Sequence, residues 1–339
     1  MARSHHINRL LHDQRGGTAI WFALCLPVLL GFAALAVDLA RLNLIKVELQ
    51  NAADAAALAG ARLLTDPSGE KPYSWSVAEG MAKSVAKQNH ANGALIQDAN
   101  VSVDSGFWNI PGSSYNPSHT STATGDVPAV HARVSLSGLK LYFAPILGIS
   151  DSDVHADAIA VIAPPGGGTG MFPMAINSFM FNLFWDSTTN KPKLDPKTGR
   201  PYVIDISSVY SCNKTSGQWT SFADDANNVP AIRELLANGN PTNLKIGDNI
   251  WIQPGTKATL YSDVPTNIDV AIPVVNNVDT HSFQPIVAIA GFHIDSSTKH
   301  GNKSYIEGHF IDATIISSLN PGNSNGLPLG AYTPPLLVE

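Results

Sequence analysis

Between Arg15 and Asp38 the chain carries no charged residue for 22 consecutive positions. A helix needs about 20 apolar residues to cross the hydrocarbon core of a bilayer. Inside lipid the backbone must also satisfy its own hydrogen bonds, which a single segment can do only as a helix. The run therefore predicts a transmembrane helix over residues 18–37, with Pro27 as a kink that such a helix can absorb. No Pro or Gly interrupts Val37 to Ala59. From there Leu42, Ile45, Leu49, Ala52, Ala56, Ala59 and Leu63 recur at steps that alternate three and four, which is heptad spacing. One continuous helix of about 45 residues, roughly 70 Å long, is predicted. Ala52, Ala53, Ala55, Ala56, Ala57, Ala59, Gly60 and Ala61 make its second half narrow, so another helix or a sheet can approach closely. Asp38, Arg41, Lys46, Glu48, Asp54 and Arg62 read as lying off the stripe, toward solvent or partners.

Residues 1–17 are polar and basic, and Arg9 and Arg15 give the span a positive flank. The far flank is mixed in charge. The bias of Lys and Arg toward the cytoplasmic side places the N-terminus in the cytoplasm and the bulk of the chain outside it, anchored by a single pass. A cleaved secretory signal, with Ala34-Leu35-Ala36 as the small-residue site, is the competing reading. The apolar stretch is longer than a usual signal core, and the helical pattern runs on through that site.

A second helix is expected from Ser74 to about His90, stopped by Asn92-Gly93. The period then changes to two. Val101, Val103, Ser105 and Phe107 share one strand face. Val130, Ala132, Val134 and Leu136 alternate with polar residues, as do Val154, Ala156, Ala158, Ala160 and Ile162. Residues 38–163 thus read as a long helix, a shorter one and a small antiparallel sheet of three or four strands. Residues 164–170, Pro-Pro-Gly-Gly-Gly-Thr-Gly, are expected to be a linker. Residues 171–339 read as a separate β-rich domain, sandwich or barrel-like, with strands over 202–210, 249–252, 256–261, 268–275, 286–294 and 305–316 and a short helix over 230–238. Pro273 places the strand 268–275 at an edge or a bulge. The tail from Leu327 is expected to be extended. The fold class is α+β.

Little in the chain points to catalysis. Charged residues make up only 14% and the net charge is −6, so there is no basic excess for nucleic acid. Cys25 and Cys212 are expected not to pair, one lying in the apolar span and the other far downstream. No nucleophile elbow, paired-His zinc motif or Cys-x-x-Cys occurs. The glycine run at 166–168 lacks the Lys-Ser/Thr of a phosphate loop. His293, Asp295, His300, Glu307 and His309 gather around an expected hairpin and read as its polar face rather than a metal site. Asp205-Ile206-Ser207-Ser208-Val209 approaches an Asp-x-Ser-x-Ser adhesion motif but ends in Val, and reads as a strand with exposed serines. No catalytic residue, metal ligand or cofactor is assigned.

Arg15-Gly16-Gly17, the apolar span with Leu26-Pro27, Ala36-Val37-Asp38-Leu39-Ala40-Arg41, and Leu49-Gln50-Asn51-Ala52-Ala53-Asp54-Ala55-Ala56-Ala57-Leu58-Ala59-Gly60-Ala61 together resemble the N-terminus of TadE/TadG-like proteins. These are assembly proteins of the tight-adherence (Flp, type IVb) pilus. The resemblance covers residues 15–64, with a weaker echo to about 163. It implies a pilin-like packing of the long helix on the sheet. It also implies a membrane-anchored, pseudopilin-like component that works by contacts with pilin or other assembly subunits and is compatible with self-association. Pilins of this class usually carry a Glu at the fifth position after their cleavage site; counting from Thr18, that position is Phe22. The departure favours the larger, anchored TadG-like members over a processed minor pseudopilin that enters a filament. An anchored periplasmic enzyme or ligand-binding protein is the reading from another class.

Reporter domains fused after Thr65 and after Glu339 should both report an extracytoplasmic location. A cytoplasmic signal from the Glu339 fusion would overturn the predicted topology.

Overall fold

The computed structural model describes residues 17–66, 68, 73–123, 125–186, 191–208, 216–300, 304–312, 314–321 and 329–339. Arg9, Arg15 and Cys212 lie outside these. The chain divides into two compact units: residues 1–53, 86–102 and 133–157, and residues 54–85, 103–132 and 158–339. Helix α1 is continuous over Gly17–Arg62, 46 residues, with Pro27 inside it. It contains an 18-residue window of mean hydropathy 2.5 in which no residue is buried. Helix α2 spans Trp75–Lys87 and buries Trp75, Ala78, Ala82 and Ala86, spaced as one face of a helix.

The buried face of α1 departs from strict heptad spacing. Ile45, Leu49, Ala52 and Ala56 are buried, whereas Leu42, Ala59 and Leu63 are half-buried. The face runs on through Ala53, Ala57, Gly60, Ala61 and Leu64. A straight helix of 3.6 residues per turn drifts about 20° per heptad against a 3.5 repeat. From Ala52 on, the residue after each heptad position therefore shares in the burial, and at Gly60 and Leu64 it is the more buried of the two.

In the first unit the Asn92-Gly93 turn joins His90–Ala91 to Ala94–Leu95 as a two-residue hairpin. Both turn residues have positive φ, 54° and 78°, which the type I′ geometry requires and which Asn-Gly tolerates.

Five strands, with residues in both units, form a sheet. They are β1 (Val101–Asn109), β2 (Ser114–Asn116), β3 (Asp126–Lys140), β4 (Asp151–Val161) and a C-terminal strand, Leu336–Leu337. The order is C-terminal strand, β4, β3, β1, β2. Gly60 of α1 lies where a Cβ would come within 2.9 Å of Ala78 O and Val130 Cγ1 and 3.0 Å of Ala82 Cβ. The helix, α2 and β3 therefore meet at backbone distance there. On β1, β3 and β4, Trp108, Val127, Ala129, Ile159 and Val161 form a further cluster that Val338 helps to cover. The tail is extended at Leu336–Leu337, as expected, and is tied to the sheet there. Ile159 N–H donates to Glu339 O at 2.7 Å, and the Tyr73 and Tyr332 hydroxyls meet at 2.6 Å. Burial pushes the Tyr73 hydroxyl up to about 12, so both hydroxyls remain protonated at neutral pH.

The expected linker is a strand. β5 (Pro165–Gly168) pairs with β9 (Leu244–Lys245) and with β14 (Leu319–Pro321) in a three-stranded sheet. At Gly167 a Cβ would stand 2.3 Å from Leu244 O, so the glycines serve close strand approach rather than flexibility.

Between these lie β6 (Met174–Asn177), β7 (Ile204–Ser208), β8 (Ser216–Phe222), β10 (Asn249–Ile252), β11 (Ile268–Val275), β12 (Ser282–Thr298) and β13 (Tyr305–Phe310). Helix α3 is Ser178–Phe184 and α4 is Val229–Asn238. The pairings close a ring: β7 with β13, β12, β11, β6, β8 and back to β7. β10 bridges β8 and β12. Two pairs, β7–β8 and β6–β11, are parallel. Of the two predicted alternatives this is the barrel-like one, and its interior holds Met174, Ile176, Trp219, Phe292 and Phe310 among others.

One further expectation changes. Residues 256–261 hold a 3₁₀ turn, Ala258–Ser262, because Gly255 and Lys257 have positive φ and break the extended run. Of the edge or bulge expected at β11 the second is found: the strand pairs with β12 on one side and β6 on the other, and its register shifts just after Pro273.

Overpacking costs typically about 1–3 kcal/mol. Ala56→Leu and Gly60→Leu should each lower the thermal midpoint of the solubilised full chain, Gly60→Leu the more because its neighbour is a backbone carbonyl. Gly80→Ala, on open α2 surface, should raise it. An unchanged midpoint in both Leu variants would mean that the face is not closely packed.

Candidate functional site

The first charged residue beyond the uncharged span is buried. Asp38 is 2% exposed, and its carboxylate accepts three consecutive backbone N–H groups: Tyr142 on Oδ1 at 2.9 Å, Phe143 on Oδ2 at 2.9 Å and Ala144 on Oδ2 at 2.8 Å. These residues follow β3 and open a 3₁₀ turn, Ala144–Leu147. A turn so placed has unpaired N–H groups, and a carboxylate is the strongest acceptor for them. One turn further along α1, Arg41 Nη1 donates to Lys140 O at 2.6 Å and Nη2 to Asn92 Oδ1 at 3.0 Å, with its guanidinium 4.8 Å above the Tyr142 ring. Glu48 Oε2 accepts the Asn92 N–H at 2.7 Å, and Gln50 Nε2 donates to Asp157 O at 2.9 Å. A row of polar side chains thus ties the helix to two loops and to β4 just past the span.

This corrects the expectation that Asp38, Arg41 and Glu48 face solvent or partners. Asp38 stands one heptad before Ile45 on the buried face. The available signal was its position, since an acid ending a 22-residue uncharged run needs donors that the helix itself cannot give.

The second unit holds an arrangement that sequence spacing did not show. Ser105 Oγ donates to Glu79 Oε1 at 2.6 Å and lies 3.1 Å from His119 Nε2, while Trp75 stacks on the His119 ring at 4.7 Å. The residue types match a Ser-His-acid relay but the connections do not. The serine is buried and gives its proton to the carboxylate, whereas a relay places the imidazole between the two. The group clamps α2 to β1 and to the loop after β2.

The barrel aligns a polar row across three strands. His293 Nδ1 contacts Asp269 Oδ1 at 2.6 Å, His309 Nδ1 contacts Asp295 Oδ2 at 3.0 Å, and the two rings stand 5.1 Å apart. Glu307, opposite Ser296, accepts its hydroxyl at 2.8 Å instead of joining the row. Among the described residues no set of three or more His, Cys, Asp or Glu has metal-binding geometry. Asp205 lies directly opposite Glu307, and burial together with that neighbouring charge raises its carboxyl above the ordinary value. Ser207 and Ser208 are half-buried rather than exposed, and Ser208 Oγ meets the Tyr261 hydroxyl at 3.0 Å. Among the described residues Cys25 is a free, exposed thiol.

Residues 16–63 match the family model described as "Putative Flp pilus-assembly TadE/G-like", and residues 59–160 match one described as "Putative Tad-like Flp pilus-assembly". No curated protein and no solved structure matches the chain. The matched residues contain α1, α2 and the strands β1 to β4 apart from the last residue of β4. With the exposed apolar window of α1, the two matches fit a single-pass, membrane-anchored component of pilus assembly.

Asp38→Ala should raise hydrogen exchange at the Tyr142, Phe143 and Ala144 amides, because it leaves all three N–H groups without their acceptor. Leu39→Ala, at an exposed neighbour, should leave them protected. Equal protection in both variants would mean that the carboxylate does not hold the turn.

Proposed function

We propose, from the premise that the matches over residues 16–160 mark a TadE/TadG-like pilus-assembly protein, that this chain works as an anchored pseudopilin-like subunit which engages other assembly subunits through α1. The anchor is residues 18–37, oriented with the N-terminus in the cytoplasm and the later residues outside the inner membrane. Phe22 in place of an acid, and the long β-rich region after residue 163, favour the TadG-like kind over a processed subunit of the filament. The division into a pseudopilin-like part over 38–163 and a β-rich part over 171–339 belongs to the same reading. The protein acts by contact, without a catalytic step of its own.

One observation carries this. Past Asp38, where the chain re-enters water on this reading, α1 still exposes large apolar side chains: Leu39 is 62% exposed, Leu44 60% and Val47 57%. They lie on the side away from Ile45 and Leu49. An isolated apolar side chain on a surface means little, but a stripe on one helix suits another helix. The face continues directly from the span, as expected for a neighbour that is itself a membrane-anchored, pilin-like helix.

Leu44→Glu combined with Val47→Glu tests it in a strain that assembles such a pilus and lacks the native copy. The pair should abolish most pilus assembly while cellular level and thermal midpoint stay those of the unsubstituted chain. Normal assembly by a stable double variant would overturn the proposal.

A further inference from the structure

The loop between β3 and β4 has no charged residue from Leu141 to Ser150. It exposes Tyr142 by 66%, Ile146 by 85%, Leu147 by 63% and Ile149 by 53%. Phe143, Ile146 and Leu147 line one open groove with Val28, Gly31, Phe32, Ala34 and Leu35 of α1. Val28 and Gly31 precede Asp38 by ten and seven residues, about 15 and 10 Å along a helix axis. The tip of the loop therefore lies beside the uncharged span, well inside the level of Asp38.

Most N–H groups of this loop have partners within the protein. Asp38 takes the N–H groups of residues 142–144. Ile146 N–H donates to Phe143 O, Gly148 N–H to Pro145 O and Ile149 N–H to Ala144 O, and Pro145 has no N–H to satisfy. Irregular backbone at membrane depth survives only when its polar groups find partners within the protein. Charge returns at the loop's base, where Lys140 Nζ pairs with Asp151 at 3.3 Å and Arg41 covers Tyr142. An aromatic ring with a cation above it at the edge of an apolar segment is the composition of the membrane–water interface.

We propose that residues 141–149 are a second membrane-contacting element, inserted among lipid acyl chains beside the span, with Arg41, Lys140 and Asp151 at headgroup level. The proposal rests on reading residues 18–37 as a transmembrane helix. Lipid, and not a partner protein, is its occupant because the loop's apolar face is continuous with a helix face that is wholly exposed over an apolar window. Asp38 then acts as the tether that lets an irregular loop enter lipid.

The test uses the full chain in phosphatidylcholine vesicles, with one environment-sensitive fluorophore attached at a single cysteine. One form carries Ile146→Cys with Cys25→Ser and Cys212→Ser. A second keeps Cys25 alone and reports the span, and a third carries Lys197→Cys in the cysteine-free background and reports water. Acyl-chain-brominated lipid should quench most of the emission at 146 and at 25, with blue-shifted spectra, and leave 197 unchanged. Quenching at 25 with a water-like, unquenched label at 146 would overturn the loop proposal and leave the anchor intact. A blue-shifted but unquenched label at 146 would overturn it in favour of a covering protein. Absence of quenching at both 146 and 25 would overturn the span reading and the loop proposal with it.

Discussion

A carboxylate placed at the end of an apolar span is costly to bury alone, and three adjacent backbone N–H groups are costly to leave unpaired in the same place. Asp38 and the turn at residues 142–144 remove both penalties together. Neither partner could be replaced without exposing the other. The contact joins residues 104 to 106 positions apart in sequence, so it fixes where the end of β3 lies against α1. Arg41, one turn on, and Glu48 and Gln50, two turns beyond it, then add contacts along the same helix. The helix carries its polar partners on the faces beside the buried stripe, which fixes its rotation as well as its level.

Beyond Gln50 the polar ties give way to close packing by small residues. Ala52, Ala53, Ala56, Ala57 and Ala61 are wholly buried, and Gly60 admits the backbone of α2. Small side chains lose little conformational entropy on burial, and alanine favours the helix intrinsically. Long helices in proteins nonetheless owe most of their stability to the face they pack. The same stripe therefore has to serve as both helix former and packing surface, which explains why it holds alanines rather than leucines.

The parts of the fold that rest on local pattern were legible in the sequence. The 22-residue uncharged run, the alternation over β3 and β4, and the boundaries of Asn249–Ile252 and Ile268–Val275 all follow from period and turn chemistry. What failed depended on partners far away in sequence. Pro165–Gly168 has a linker's composition, yet it is a strand because Leu244 and Leu319 approach so closely that only glycine fits. β6 and β8 lack a period-two signal because they lie inside a closed ring, where both faces are buried. The polar ring around Asp38 was hidden for the same reason. Its charged residues look like solvent-facing positions until the hairpin at Asn92-Gly93 and the 142–144 turn are brought to them.

The barrel leaves few free strand edges in a chain poor in charge. An open sheet offers unpaired N–H and C=O groups to any passing strand. Here the ring β7–β13–β12–β11–β6–β8 returns to its start, so each of those strands has a neighbour on both sides. The outer row of Asp269, His293, Asp295 and His309 then spends its polar groups on one another, at 2.6 and 3.0 Å, on a surface that would otherwise be apolar strand. The apolar side chains that do stay exposed are concentrated on α1 and the 142–149 loop, where the uncharged span begins. The helix and this loop therefore hold most of the large apolar surface that the fold leaves uncovered.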